Sequence, residues 1–212
     1  MNSHHPDTLL LMEYSAGNLS EPHALCLRLH LDHCAYCRSR VDTLDSLGAV
    51  MLEQQAAVPV NEGTFDSILA RIDENPAPAG RPPQPVRSPL HKLLGADDLR
   101  TLPWKKQLPG VSVFDITELF PGQPDRVILQ KLAAGGKAPT HTHRGTETTL
   151  VLQGAFADYQ GVFNQWDFVV LDDSHVHKPV AVGNEDCISL SVLTAPLRLT
   201  GTFARLLNPF IR

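Results

Sequence analysis

Six prolines fall within the fourteen residues from Pro76 to Pro89, PAPAGRPPQPVRSP, and almost no apolar side chain accompanies them. Such a segment has nothing to bury, and proline both fixes φ and removes a backbone donor, so it favours a semi-extended linker. The sequence on either side is then expected to fold around its own core. This reading divides the chain into residues 1–75, a linker over 76–92, and residues 93–212.

Upstream the apolar spacing is helical. Leu9, Leu10 and Met12 follow Pro6 and the run ends at Gly17. Ser20 precedes a second helix from Glu21 to about His33, with Leu25, Leu29 and Leu31 as its stripe, and a third runs on from about Cys34 with Val41, Leu44, Leu47, Val50 and Met51. A fourth, TFDSILARIDE, starts near Thr64 and carries Phe65, Ile68, Leu69 and Ile72 on one side. Burial in the region's own core is the plainer expectation for those four residues, and packing against a partner is the other. Four short helices make a small all-α domain of the size that often needs a staple.

Downstream the texture changes to runs rich in Val, Ile, Phe and Thr, namely VSVFDITELF, DRVILQKLA, TTLVLQGAFADYQG, WDFVVLD, CISLSVLT and TGTFARLL. Short strands broken by turn signals predict an antiparallel barrel or sandwich. The formal charge of -5 offers no basic excess for a phosphate backbone, so direct nucleic-acid binding is not expected. No apolar run approaches the length of a membrane span, and MNSHHPDTLLLMEY lacks the basic start of a signal peptide. Three of the four cysteines, Cys26, Cys34 and Cys37, crowd together while Cys187 stands apart, which fits a reducing cytoplasm better than a disulfide framework.

In LHLDHCAYCRSR, His30 stands four residues before Cys34, and Cys34 three before Cys37. Two thiolates at this spacing reach one ion, and a histidine one turn earlier can present its imidazole to the same point. A closed structural zinc site takes four ligands, and His5 is the natural fourth. A redox dithiol is the competing reading, but no βαβ pattern surrounds the pair. Cys26 reads as a small buried thiol, and His33 points to another side of the helix.

The wider stretch HHPDTLLLMEYSAGNLSEPHALCLRLHLDHCAYCRSR resembles the zinc-binding anti-sigma domain in its His-His-Pro start, its Tyr-x-Ala-Gly-x-Leu turn and the arginine after the cysteine pair. The resemblance covers residues 1 to about 75. It implies that His5, His30, Cys34 and Cys37 hold zinc, and that the helices grip a group IV (extracytoplasmic-function, ECF) sigma factor and keep it from RNA polymerase core enzyme.

The second half carries GGKAPTHTHRGTETTLVLQG, in which Gly135, His141, His143, Glu147 and Gly154 fall at the spacing of the first cupin motif. Strand alternation puts His141 and His143 on one face, and Glu147 returns to it after the Arg144-Gly145-Thr146 turn. A cupin takes its fourth ligand from a second motif. His177, directly before Lys178-Pro179, is that candidate and His175 its alternate, although the usual Pro-x-Gly is replaced by Asp172-Asp173-Ser174. Three histidines and a carboxylate suit zinc or another divalent metal. A catalytic cupin adds an acid, base or substrate-binding group at the barrel mouth; Arg144 and Tyr159 are available, but no motif marks them. Cys187 reads as a buried, inert thiol, with oxidation near a metal centre as the sharper alternative.

A zinc-stapled four-helix domain, a proline-rich linker and an antiparallel cupin barrel (a double-stranded β-helix), in that order, resemble the ChrR family of anti-sigma factors over nearly the whole chain. The fold expected is therefore multidomain, α followed by all-β. The resemblance implies a cytoplasmic regulator rather than an enzyme: the helical half holds an ECF sigma factor inactive, and the cupin senses an oxidative signal such as singlet oxygen. The competing classes are a dioxygenase-like cupin enzyme and a small-molecule binding protein.

Overall fold

The computed structural model describes residues 4–74, 89–96 and 98–200. Helix α1 (Thr8–Ser15) is capped by Asp7, whose carboxylate accepts from the Leu10 amide at 2.8 Å. Helices α2 (Glu21–His33) and α3 (Ala35–Glu53) meet at Cys34, and α4 (Thr64–Glu74) follows a non-helical stretch. A short helix α5 (Pro89–Leu94) packs on α2 and takes up the end of the expected linker, whose residues 76–88 lie outside the described part.

Eleven strands follow: β1 (Lys105–Leu108), β2 (Val111–Asp115), β3 (Arg126–Leu132), β4 (His141–His143), β5 (Glu147–Gln153), β6 (Ala155–Asp158), β7 (Gly161–Phe163), β8 (Phe168–Leu171), β9 (Val180–Val182), β10 (Cys187–Leu193) and β11 (Leu197–Leu199). They form an antiparallel sheet in the order β1-β2-β3-β10-β5-β8, a three-stranded sheet β7-β6-β9 and the pair β11-β4. Leu132, Val151 and Cys187 on the inner face of the large sheet pack with Phe156, Phe163 and Ala181 of the small one. This is the expected cupin barrel.

The outer face of the large sheet is equally buried. Val127, Leu129, Leu150, Leu152, Leu190 and Val192 form one continuous core with Leu11, Cys26, Leu27, Leu29 and Leu31 of the helices. Each large apolar side chain so buried contributes about 1.5–3 kcal/mol relative to exposure. The sequence pattern predicts two domains without saying how they meet; in the structure α2 lies against β5 and β10. That also explains why the buried residues of α2, Cys26, Leu27, Leu29, His30 and Leu31, encircle more of the helix than the expected stripe: one side meets α3 and another meets the sheet.

Several expectations are corrected in detail. VSVFDITELF is not one strand; β2 stops at Asp115 and a 3-10 turn covers Thr117–Leu119, anchored by the Asp115 carboxylate, which accepts from the Thr117 amide and hydroxyl. The long run from Thr148 breaks into β5 and β6 at Gly154, where φ is +67° and an added Cβ would lie 2.6 Å from the Asp186 carbonyl oxygen. TGTFARLL lies almost wholly outside the described residues. Of the apolar stripe expected on α3 only Val41 is buried, while Leu47, Val50 and Met51 are exposed. On α4 every side chain from Phe65 to Ile72 is exposed, so core burial of its apolar face is not what forms. No helix among the described residues is long and apolar enough to cross a membrane.

Candidate metal centres

The helical half brings His5, His30, Cys34 and Cys37 together, with one ligand atom from each within 4.8 Å of all the others. His5 enters on the segment before α1, His30 from the last turns of α2, Cys34 from the α2–α3 junction and Cys37 from the first turn of α3. His5 Nδ1 lies 3.4 Å from both sulfurs, and His30 Nε2 lies 3.3 Å from Cys37 Sγ. A sulfur and a nitrogen bound to one tetrahedral zinc are about 3.5 Å apart, so the group has the dimensions of such a site. Burial first, and then Cys34 beside it, push the Cys37 thiol up to about 12, so without a cation the sulfur keeps its proton. A divalent ion held there would supply the missing positive charge.

The tautomer of His30 follows from its surroundings. Its Nδ1 is 2.7 Å from the Trp166 carbonyl oxygen, which can only accept. The proton therefore sits on Nδ1, and the Nε2 lone pair faces the sulfurs. His33 is outside the group, as expected, but it is no bystander: its ring stacks on Trp166 with centroids 3.8 Å apart.

The barrel brings together His141, His143, Glu147 and His177, all buried. β4 carries the two histidines on one face, the turn after it returns Glu147 at the start of β5, and an antiparallel bridge between His141 and His177 delivers the fourth side chain. His175 is not in the group; its ring pairs with Asp172 at 2.7 Å. Arg144 and Tyr159 are both exposed.

Each supporting contact here comes from the barrel itself. His141 Nδ1 donates to the Pro139 carbonyl at 2.8 Å and His177 Nδ1 to the buried Asp158 carboxylate at 3.1 Å. Both Nε2 atoms are then lone-pair donors, yet they lie 2.9 Å apart, and His143 Nε2 is 3.3 Å from His177 Nε2. Two lone pairs cannot bond to one another. Nitrogens sharing one ion at about 2.1 Å are about 3.0–3.4 Å apart, which matches this convergence. A proton between the rings is disfavoured, because burial lowers the pKa of His177 and takes His143 down to about 4. His143 Nδ1 is 3.3 Å from a Glu147 oxygen but finds no hydrogen-bond partner in line. Glu147 accepts instead from the Thr149 hydroxyl at 3.0 Å, and Thr149 in turn accepts from Ser191 at 2.8 Å.

The cavity shared by His141, Glu147 and His177 has a volume of about 20 Å³, and Cys187, on an adjoining wall, is buried with its thiol pushed up to about 12 by that burial and by Glu185. A wider apolar groove of about 300 Å³ meets His141 from the side of β2, β3 and β11.

The eight side chains named from the sequence fall into these two groups, while their surroundings, Asp158, Pro139, Thr149 and above all the Asn164–Asp167 turn, are not anticipated. The signal that existed was the apolar run Leu150-Val151-Leu152 and the small and apolar composition of CISLSVL, without a charged residue, which marks strands covered on both faces.

Residues 96–196 match the family described as the ChrR cupin-like domain. The anti-sigma-E factor ChrR of Cereibacter sphaeroides is 37% identical over 215 residues, spanning 99% of this chain and 98% of that protein. Among solved structures, one of Rhodobacter sphaeroides SigE in complex with the anti-sigma ChrR aligns with a TM-score of 0.78 at 34% identity, covering 91% of this chain and 100% of that one. An RmlC-like cupin protein from Ralstonia eutropha JMP134 aligns over 50% of this chain and 71% of its own at 24% identity, with a TM-score of 0.41. With this degree of identity over its whole length, the chain belongs to the ChrR family of anti-sigma factors.

Proposed function

We propose that this chain binds and inhibits an ECF sigma factor through residues 1–75, and that the barrel of residues 93–212 is the sensor that ends the inhibition. The relative of known structure is seen in complex with SigE. The observation that carries the reading over to this chain is the uncovered apolar surface of its helices. Phe65 is 71% exposed and Ile72 60%, and with Ile68 and Leu69 they occupy positions i, i+3, i+4 and i+7 of α4. Leu47, Val50 and Met51 add a second exposed patch on α3. Such stripes are how an amphipathic helix enters the apolar groove of a protein partner.

In this reading His5, His30, Cys34 and Cys37 hold zinc, whose four protein ligands leave no open position and whose role is to fix α1, α2 and α3 relative to one another. His141, His143, Glu147 and His177 hold zinc or another divalent ion in the barrel. The protein works in the cytoplasm, where its target binds core polymerase, and it regulates rather than catalyses. The cavity of about 20 Å³ between His141, Glu147 and His177 accommodates roughly one water molecule, room for a small oxidant, and the groove of about 300 Å³ gives access to His141 from outside.

The test is direct. The metal-loaded chain, mixed with its cognate ECF sigma factor, is expected to form a complex stable to gel filtration and to abolish transcription by core enzyme plus that factor. Singlet oxygen generated in the mixture is expected to restore transcription. A chain that forms no complex and leaves transcription unchanged would rule the reading out.

A further inference from the structure

The barrel's Asn164–Asp167 turn reaches the helical metal group from outside. The Trp166 carbonyl accepts from His30 Nδ1 at 2.7 Å, and the Asp167 carboxylate lies 3.3 Å from both the backbone amide and the Nδ1 of His4, the residue preceding His5. The Phe168 amide donates to the His4 carbonyl at 3.2 Å. The Trp166 ring lies flat on His33. Both histidines of the helical group are thus positioned, one directly and one through its neighbour, by three consecutive residues of the barrel.

The turn is built to hold that carbonyl in place. Trp166 has a φ of +70°, a left-handed conformation that a bulky side chain rarely adopts and that persists where the surroundings impose it. They do so here: the Trp166 amide donates to the Val151 carbonyl at 2.7 Å, the Asp167 amide to the Asn164 carbonyl at 2.9 Å, and the Asn164 amide to the Asp167 carboxylate at 2.9 Å. Asp167 is fully buried.

We infer that Trp166 and Asp167 are positioning residues of the helical metal site, so that the barrel, and not the helices alone, sets how tightly His5, His30, Cys34 and Cys37 retain their ion. The inference rests on the metal reading of that group. Its physical content is that an accepting partner on the far ring nitrogen fixes tautomer and orientation of a ligating histidine; loss of such partners costs about 10–100-fold in metal affinity. Linkage makes the effect reciprocal: an ion in the helical group favours the docked barrel by the same factor. The strand that leaves the turn, β8, runs alongside β5 until Leu171 pairs with Glu147, so the element that begins at the support of one metal group ends beside the other.

Cobalt distinguishes the groups, since only the helical one has thiolates to give a sulfur-to-metal charge-transfer absorption. The full chain is loaded with cobalt and titrated with a competing chelator, for the wild type and for Asp167→Asn. The expected result is an affinity at the thiolate group lower by about tenfold or more in the variant, with the barrel ion retained within about twofold. An unchanged thiolate affinity, or equal loss at both groups, overturns the inference. A wild type with no charge-transfer band overturns the metal reading itself, and the inference with it. Trp166→Gly keeps the carbonyl and suits the left-handed backbone, so it is expected to retain the thiolate-bound ion; its loss would show that ring packing alone was responsible. Independently of any substitution, nitrogen-15 spectra of the zinc-loaded wild type are expected to show the His30 proton on Nδ1, and a proton on Nε2 overturns the assignment.

Discussion

The two candidate metal groups, four side chains each, are supported in opposite ways. In the barrel, every contact that orients a ligand comes from the barrel: Pro139 behind His141, Asp158 behind His177, Thr149 beside Glu147. In the helical half the ligands come from the helices, but the acceptor behind His30 belongs to the barrel. The barrel group is self-sufficient and the helical group depends on its neighbour. A dependence in this direction is what a sensor needs in order to influence an inhibitor, because a change in the independent part alters the dependent one.

The largest effect is expected from the helical ligands. Cys34→Ser or Cys37→Ser removes a thiolate from a closed site whose ion is worth on the order of 10 kcal/mol to a domain of this size. Metal analysis is expected to show the helical ion lost and the barrel ion kept, with sigma binding abolished. A serine variant that binds the sigma factor without metal would break the assignment of the zinc as the staple.

His141→Ala tests the other side of the comparison. The barrel ion is expected to bind at least about tenfold more weakly, while sigma binding in the absence of signal stays within about twofold of wild type. The transcriptional response to singlet oxygen is expected to disappear. A variant that responds normally removes the barrel ion from sensing and leaves the barrel as a purely structural support for His30.

The difference in support also explains what was legible in the sequence. Ligand spacings are local and chemical, so His30, Cys34 and Cys37, or His141, His143 and Glu147, announce themselves within a dozen residues. Trp166 contributes a backbone carbonyl and Asp167 an ordinary carboxylate, and neither residue type advertises that role. The α2–barrel contact was hidden for a related reason: LVL and the uncharged run CISLSVL record that both strand faces are buried, but not by what. The α4 stripe misled in the opposite direction, since periodicity records an apolar face without saying whether the chain or a partner covers it.

That face supplies a more moderate prediction. Phe65→Asp with Ile68→Asp alters side chains that are 71% and 51% exposed, so stability is expected to change by no more than about 0.5 kcal/mol per site. Sigma binding measured by calorimetry is expected to weaken by about tenfold or more, as when apolar anchors of a helix in a groove are removed. Unchanged affinity would move the interface to α3 or to the other helices.

The smallest effect concerns the second contact between the halves. The barrel's Asp125 carboxylate accepts from the Ser20 hydroxyl at 3.2 Å and lies 3.5 Å from His23 Nδ1, so Ser20 serves the barrel instead of capping α2 through its side chain. Burial lowers the pKa of His23 from 6.5, and the Asp125 charge only partly offsets it. Above the ordinary value both docked and undocked forms are neutral there, and the contact is at full strength. As pH falls below 6.5, the undocked form takes up a proton that the docked form resists, and docking weakens. The protection factors of the Leu150 and Leu190 amides, under the α2 contact, are therefore expected to fall between about pH 7 and 5 once the slower intrinsic exchange in acid is divided out. The metal-binding histidines respond to acid in any variant, so the informative quantity is the difference between wild type and His23→Gln. The substitution is expected to cost less than about 1 kcal/mol at neutral pH and to make the acid-induced loss of protection shallower. Profiles that remain parallel would assign the whole acid sensitivity to the metal groups and leave the Trp166–Asp167 turn as the contact through which the halves respond.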